Sequence, residues 1–365
     1  MKERIAIVGT GISGLTAAWL LQRRHDIAVF ERDGRIGGHS HTVIVTDEGR
    51  EIGVDTGFIV FNRRTYPLFT RLLQLLGVAT QPSDMSFSFR DDGANLEYGA
   101  PEPWRLFAQP RNLVRPSFLH MLRDILRFYR EASDWLADAD EDVTLEDFLA
   151  AGGYSPVFVE NHLFPVCAAI WSSPHAKMGE YPAAALFRFF RNHGLLSLTE
   201  RPRWRTITGG SSNYVTELIA PFRDRIRTAE PVTRIHRDPE GVTIHTPGGG
   251  AERFDQVVLA CHADQALSLL AAPTGRETQV LGAFPYALNE TVLHSDTHLL
   301  PRRRLAWSSW NYHRGAGEDR AVTVTYDQNR LQRLRAKRRH LVTLNRTASI
   351  DPGLVHARMT YEHPQ

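Results

Sequence analysis

The chain has 365 residues, 42% hydrophobic and 23% charged, with a net charge of +2. These are ordinary globular values that offer neither a basic field for nucleic acid nor an acidic one for a basic partner. The length exceeds the ~250–300 residues at which a single core stops growing, so two domains are expected. Two cysteines, Cys167 and Cys261, are too few for a disulfide framework, and no apolar run reaches the ~18 residues of a spanning helix. Only residues 1–4 precede the first apolar run, so a cytoplasmic chain without a signal peptide is the expectation.

Residues 5–21 read IAIVGTGISGLTAAWLL: an apolar strand, then Gly9, Gly11 and Gly14, then a helical pattern opened by Ile12 and Ser13. In a βαβ unit the first glycine makes the turn, the second lets a pyrophosphate approach, and the third lets helix and strand pack. The helix N-terminus supplies free N–H groups and the positive dipole end. IAVFE follows as a second buried strand. It ends on Glu31, roughly twenty residues after the first glycine, where an acid accepts hydrogen bonds from a ribose. A lone GxGxxG is weak, but strand, helix, second strand and acid together point to a dinucleotide site.

The next stretches are Arg32-Asp33-Gly34-Arg35-Ile36-Gly37-Gly38-His39 and Asp55-Thr56-Gly57-Phe58. They resemble the RxGG and DxG segments of the flavin-containing amine oxidase and phytoene desaturase superfamily. The resemblance implies an α/β fold: a Rossmann-like FAD-binding domain (1–84 and 200–275) with an interleaved α+β substrate domain (85–199 and 276–365). It implies FAD held by Gly9, Gly11, Ile12, Ser13, Gly14, Glu31, Arg32, Arg35, Gly37, Gly38, His39, Thr56, Gly57 and Phe58, with the Val232 backbone against the adenine. Amine oxidases usually carry Arg after the paired glycines, where this chain has His39. VDTGFIVFN, RPSFLHMLRDILRF and ACHADQAL resemble a bacterial group similar to the oxidase-like N-terminal region of plant cyclopropane fatty acid synthases. That likeness implies lipid chemistry.

Further along, TVIVTD and EIGVD flank a Glu48-Gly49-Arg50 turn as a hairpin, and 66–76 reads as an amphipathic helix capped by Gly77. MSFSF and ANLEY predict a second hairpin, whose Phe87 and Phe89 face either a cavity or the core. Residues 101–130 carry Arg105, Arg111, Arg115, Arg123, Arg127 and Arg130 against Glu102 and Asp124, interleaved with Trp104, Phe107, Phe118 and leucines. They form either a solvated helix face or a contact for anionic lipid. A Thr144-capped helix follows, then helices through 155–194 broken at Pro165 and Pro174, with Phe187, Phe189 and Phe190 packing between domains. A strand, Gly209-Gly210 and a serine-capped helix lead to a strand-turn-strand over 231–245. A buried strand over 254–261 ends at Cys261, read as a small core residue. Beyond 281, strands carry Trp307, Trp310, Tyr312 and Tyr326 as walls of a cavity, and 330–340 is expected to be exposed.

The expected function is FAD-dependent hydride transfer between flavin N5 and a carbon of an apolar substrate, acyl or lipid. The alternatives are an amine oxidase and a non-catalytic flavin- or nucleotide-binding protein. No nucleic acid and no metal is expected; the 101–130 surface would contact anionic membrane. No catalytic acid or base is assigned. His39 and His41 lie near the flavin motif, and Lys177 is the only lysine between Lys2 and Lys337. Relatives end with a glycine-aromatic turn and a helix facing the flavin, an element expected to be absent here.

Overall fold

The computed structural model describes residues 2–171, 175–198, 201–316 and 322–364. Strands Arg4–Val8 and Asp26–Phe30 bury every residue but the first, because both faces of their sheet are covered. The sheet is parallel, in the order 226–227, 26–30, 4–8, 256–259. Alternate residues go to opposite sides, as a period of two requires. Ile5, Ile7, Ile27 and Val29 pack against helices Ile12–Leu21 and Ser212–Ile219. Ala6, Val8, Ala28 and Phe30 pack against Ile235, Val242, Ile244 and Phe254 of the antiparallel strands 234–238, 241–245 and 251–254. Both glycine turns therefore leave from a sheet clamped on two sides.

The hairpin Thr42–Asp47 and Arg50–Asp55 closes through Glu48 and Gly49, both at positive φ, the geometry a two-residue hairpin turn needs. Helix Pro67–Leu75 ends before Gly77 at φ +67°. A second core lies between helices and a seven-stranded sheet in the order 355–364, 286–294, 341–344, 322–327, 310–314, 87–91, 96–100. All neighbours are antiparallel except 87–91 with 310–314, which join strands far apart in sequence. Helices Pro116–Trp135, Leu145–Ala151, Phe164–Trp171 and Ala183–Asn192 contribute to this core.

Several expectations need correction. Pro165 does not break the chain: the helical run from Pro156 to Trp171 passes through it without interruption, with a π turn at Val159–Leu163 directly before it. Pro174 lies outside the described residues. Phe187 packs not between domains but on Phe128, Trp135 and Phe148 of the helical layer. The stretch 330–340 is not uniformly exposed, since Leu331, Gln332 and His340 are buried. Thr144 caps its helix as expected, accepting from the Asp147 amide at 3.2 Å. Ser211 precedes its helix but spends its hydroxyl on Asp55 instead of on the cap.

Candidate functional site

The first strand ends at Val8 and the chain turns at Gly9. Its φ of +104° suits glycine, and an added Cβ would meet the Ala260 carbonyl oxygen at 2.7 Å. Gly14 lets the helix seat on this turn, because a Cβ there would run into the Gly9 carbonyl oxygen. Gly11 differs: a Cβ on it meets nothing within 4 Å. The protein's own packing therefore does not require a glycine there. Ile12 and Ser13 are exposed beside it, and the first helical turn carries no acid. Its N–H groups are open to an anion.

Glu31 accepts from the Thr10 amide at 3.0 Å, from the Thr10 hydroxyl, and from the Asp33 amide at 2.9 Å. It thereby ties the first turn to the end of the second strand. Arg32 points outward beside Asp33. Arg35 folds inward, donating to the Gly38 carbonyl at 2.7 Å and the Ser40 carbonyl at 3.4 Å. This holds the Gly37–Gly38 turn over the first one: the Gly37 amide donates to the Thr10 carbonyl at 3.1 Å, and a Cβ on Gly38 would meet the Gly11 Cα at 3.0 Å. The Phe58 amide donates to the His39 carbonyl at 2.7 Å, and a Cβ on Gly57 would run into that same carbonyl. Three glycine turns from three stretches thus touch in series, the first on the second and the second on the third, and Thr56, Gly57, Phe58 and His39 lie side by side. Val232 sits apart, packed on the Ala6, Val8 and Phe30 side of the sheet.

Asp55, immediately before Thr56, is 1% exposed. Its carboxylate accepts from the Thr42 hydroxyl at 2.6 Å, the Ser211 amide and hydroxyl at 2.8 Å, and the Gln332 side chain at 2.9 Å. Burial raises its pKa to about 6 against the pull of those donors. A second chain of hydrogen bonds ties the C-terminal strand to the same turn. Thr56 donates to the His41 carbonyl at 3.1 Å, so its oxygen accepts from Tyr361, whose oxygen in turn accepts from His41 Nδ1, each at 2.8 Å. That order fixes the neutral tautomer of His41. Burial, then the Arg35 charge, lowers its pKa to about 4. His39 is lowered to about 4 as well, by burial first and then by His363, His262 and Arg35. Where the family resemblance implies an arginine, this chain holds a neutral imidazole. Its Nε2 is buried without a partner, and its ring lies 5.1 Å from Tyr361 and 5.5 Å from His363.

A cavity of about 440 Å³ opens against Thr56, Gly57 and Phe58. Its walls include Phe87, Trp171, Phe189, Trp204, Trp310, Tyr326 and Tyr361. None of its described lining residues is Asp, Glu, Lys or Arg. Trp310 and Tyr326 take their expected places, and the Trp310 indole N–H is buried without a partner. Trp307 and Tyr312 do not reach it. Trp307 donates to the Pro301 carbonyl at 2.6 Å, and Tyr312 is fully buried against Phe89. The Lys177 side chain lies outside what is described. Among the described residues no group of three or more His, Cys, Asp or Glu could hold a metal, and no helix is long and apolar enough to cross a membrane.

Sequence reasoning missed Ser211, Gln332 and Tyr361 as partners of the DxG turn, and Trp171 and Trp204 as cavity walls. The spacing of the first three from Asp55 carries no signal. The tryptophans gave only a compositional one.

The open cradle at Gly11, the helix N-terminus and the apolar cavity beside Gly57 fit a long cofactor with a pyrophosphate at one end and a flat ring system at the other. Comparison with known proteins agrees. The sequence is 25% identical over 335 residues to tryptophan 2-monooxygenase of Pseudomonas savastanoi, an alignment covering 81% of this chain and 59% of that one. The chain thus spans about three-fifths of the length of that relative. In fold it resembles cyclohexylamine oxidase from Brevibacterium oxydans, with a TM-score of 0.67 at 19% identity over 99% of this chain and 85% of that one. It also resembles a fatty acid isomerase from P. acnes, with a TM-score of 0.64 at 17% identity over 96% and 78%. The profile of the flavin containing amine oxidoreductases matches residues 12–331. The chain belongs to that family, and its cofactor is FAD.

Proposed function

We propose that the protein is an FAD-dependent oxidoreductase that takes a hydride from a carbon of an apolar substrate, fatty-acyl or lipid in character. The observation that carries this reading is the cavity of about 440 Å³ against Thr56-Gly57-Phe58, lined mostly by aromatic and aliphatic side chains and, among the described residues, by no acid. Bound FAD supplies a two-electron acceptor at its ring. The chain's own part is positional. The turns at Gly9, Gly37 and Gly57 hold the path of the cofactor, with Gly9, Gly11, Ile12, Ser13, Gly14, Arg35, Gly37 and Gly38 at its phosphates. Glu31 and Val232 stand on the adenosine side, and Thr56 to Phe58 at the ring. The apolar walls exclude water from the reacting carbon. The chain His41–Tyr361–Thr56 holds a hydroxyl at the cavity floor, and neutral His39 adds no charge beside it.

Amine oxidation is the second reading, favoured by the family and by the cyclohexylamine oxidase likeness. A cationic polyamine would find no carboxylate among the described residues of this cavity, which favours apolar amines. The experiment is the visible spectrum of the purified protein, followed by anaerobic addition of apolar acyl compounds and of amines. Flavin bands that bleach with acyl compounds support the first reading, and bleaching by amines alone replaces it with the second. Flavin that no compound bleaches would favour a binding protein.

Access from a lipid surface is part of the first reading. Trp104, Leu113, Val114, Leu119 and Leu126 are exposed apolar residues of the 101–130 segment, and Arg111, Arg123 and Arg130 are exposed among them. Leu119, Arg123, Leu126 and Arg130 follow one another at helical spacing along Pro116–Trp135, so they share a face. The other three arginines are engaged: Arg105 pairs with Glu102, Arg115 bonds the Ala94 carbonyl, and Arg127 lies over Tyr154. Each free arginine at an anionic surface contributes about 1 kcal/mol. Co-sedimentation with anionic vesicles should fall with salt and in an Arg111/Arg123/Arg130→Gln variant. Equal binding to neutral vesicles would remove the membrane from this reading.

A further inference from the structure

A smaller cavity of about 90 Å³ shares Met85, Phe87, Val166 and Leu195 with the main one. The two cavities therefore adjoin, with Phe87 and Leu195 standing between them. The smaller compartment runs away from Thr56–Phe58, beneath Ala100 and Pro101, and differs in chemistry from the larger. Tyr129, His162 and Arg201 line it.

Arg201 is exposed, so this end opens to solvent. Its Nε donates to the Ser197 carbonyl at 2.9 Å, which orients the guanidinium. No described acid pairs with it, and no Asp or Glu is among the described residues that line the compartment. Tyr129 lines the same compartment, and the Arg201 charge opposes the rise that burial gives its hydroxyl pKa. A guanidinium donates, and a phenol hydroxyl can donate as well. His162 is held neutral: Tyr98 gives its proton to the Asn161 carbonyl at 2.8 Å, so His162 Nδ1–H donates to the Tyr98 oxygen at 3.0 Å. Burial, then the Arg201 charge, lowers the His162 pKa to about 4. One oriented cation and one phenol hydroxyl therefore stand at the outer end of a space whose described inner lining carries no acid, lysine or arginine.

We propose that Arg201 and Tyr129 form a head-group subsite for a carboxylate, so that the substrate is an amphiphile with an apolar body toward Thr56–Phe58 and its acid at the mouth. The inference rests on the apolar-substrate reading above and names its substrate class. A carboxylate takes two donors side by side, as this pair offers. An ammonium head would meet a like charge there, and an alcohol would leave the cation unanswered.

The test is calorimetric titration of the FAD-loaded protein with decanoate, decanol and decylamine, three chains of one length that differ only in the head. Decanoate should bind about tenfold or more tighter than decanol, with decylamine weakest. Arg201→Gln should erase that preference, Arg201→Lys should restore most of it, and Tyr129→Phe should cut it by a few-fold. Equal binding of decanoate and decanol by the wild type, or a preference that survives Arg201→Gln, would overturn the subsite. The flavin reading fails separately. Protein that shows no flavin bands yet binds decanoate through Arg201 refutes the redox function and keeps the subsite, whereas bleachable flavin with no head-group preference does the reverse.

Discussion

The flavin frame and the substrate cavity meet at Thr56–Phe58 but are built in different ways. The frame is made of backbone: three turns approach so closely that a side chain at Gly14 or Gly57 would strike a carbonyl. The cavity is made of side chains that arrive from strands and helices far apart in sequence. A site made of backbone writes itself into the sequence as glycine at fixed spacing. A site made of side chains is written as ordinary aromatic residues, whose roles depend on how deep each one lies.

The glycines test the first half most sharply, and with the largest effect. Gly14→Ala forces its Cβ into the Gly9 carbonyl, and the clash is backbone on backbone, which no rotamer relieves. We expect a loss above about 4 kcal/mol or no folded protein at all. Gly11→Val should do the opposite: stability close to wild type, since nothing lies within 4 Å of a Cβ there, but little bound FAD. Thermal melts of apoprotein beside flavin content separate the two. Equal flavin content in wild type and Gly11→Val would break the assignment of the cradle.

Asp55 joins the two halves and should come next. Asp55→Ala strands the donors of Thr42, Ser211 and Gln332 in a buried site, and should cost about 3–5 kcal/mol. Asp55→Asn keeps one acceptor and should cost less, about 1–3 kcal/mol. Urea midpoints that rank Asn below Ala would show that the network is not held by acceptance at this carboxyl.

On the cavity side, Phe87 and Phe89 share a strand face but not a depth. Phe89 is fully buried between Tyr98 and Tyr312, so Phe89→Ala should cost about 3–4 kcal/mol. Phe87 already borders open space, so Phe87→Ala should cost less than about 2 kcal/mol while changing ligand affinity. Similar losses for both would mean that the cavity wall is core.

That pair also explains what was legible in the sequence. The alternation of MSFSF gave the right face, and the parallel register of Trp310 with Phe87 and Tyr312 with Phe89 sets both pairs in line. Only the three-dimensional packing of Tyr98 and Phe118 decides that the pair at 89 and 312 is sealed while the pair at 87 and 310 is open. The frame was legible almost whole, because each close approach excludes a side chain. Its supports were not. Gln332 and Tyr361 reach the DxG turn across the fold, and a basic stretch gives no hint that its glutamine is buried. Pro165 misled for a related reason: proline removes a hydrogen bond from within a helix, but here a π turn at Val159–Leu163 directly precedes it and the helical run goes on.

The smallest expected effect is on pH. His162 and His294 are buried in the substrate-side sheet and its helices, and burial lowers each to about 4 from an ordinary 6.5. His294 is held neutral by geometry: its Nδ1 accepts from the Asp296 amide at 3.1 Å, so its Nε2–H donates to Thr343 at 2.7 Å. As pH falls below 6.5 the unfolded chain takes up protons that the folded one refuses until about 4. The unfolded state then binds more protons, and stability declines through that window, by no more than about 1.4 kcal/mol per pH unit for each histidine. Asp55 acts in the opposite sense. Its folded value of about 6 lies above the ordinary 3.8, so the native state takes that proton first and offsets part of the loss. Urea midpoints of the apoprotein should therefore be flat above pH 6.5 and fall gradually toward pH 4. In His294→Gln the stability at neutral pH should drop but the slope below 6.5 should become shallower, because one refused proton is gone. An unchanged slope in that variant would assign the acid sensitivity to the frame instead, where His39 and His41 stand beside the flavin turns.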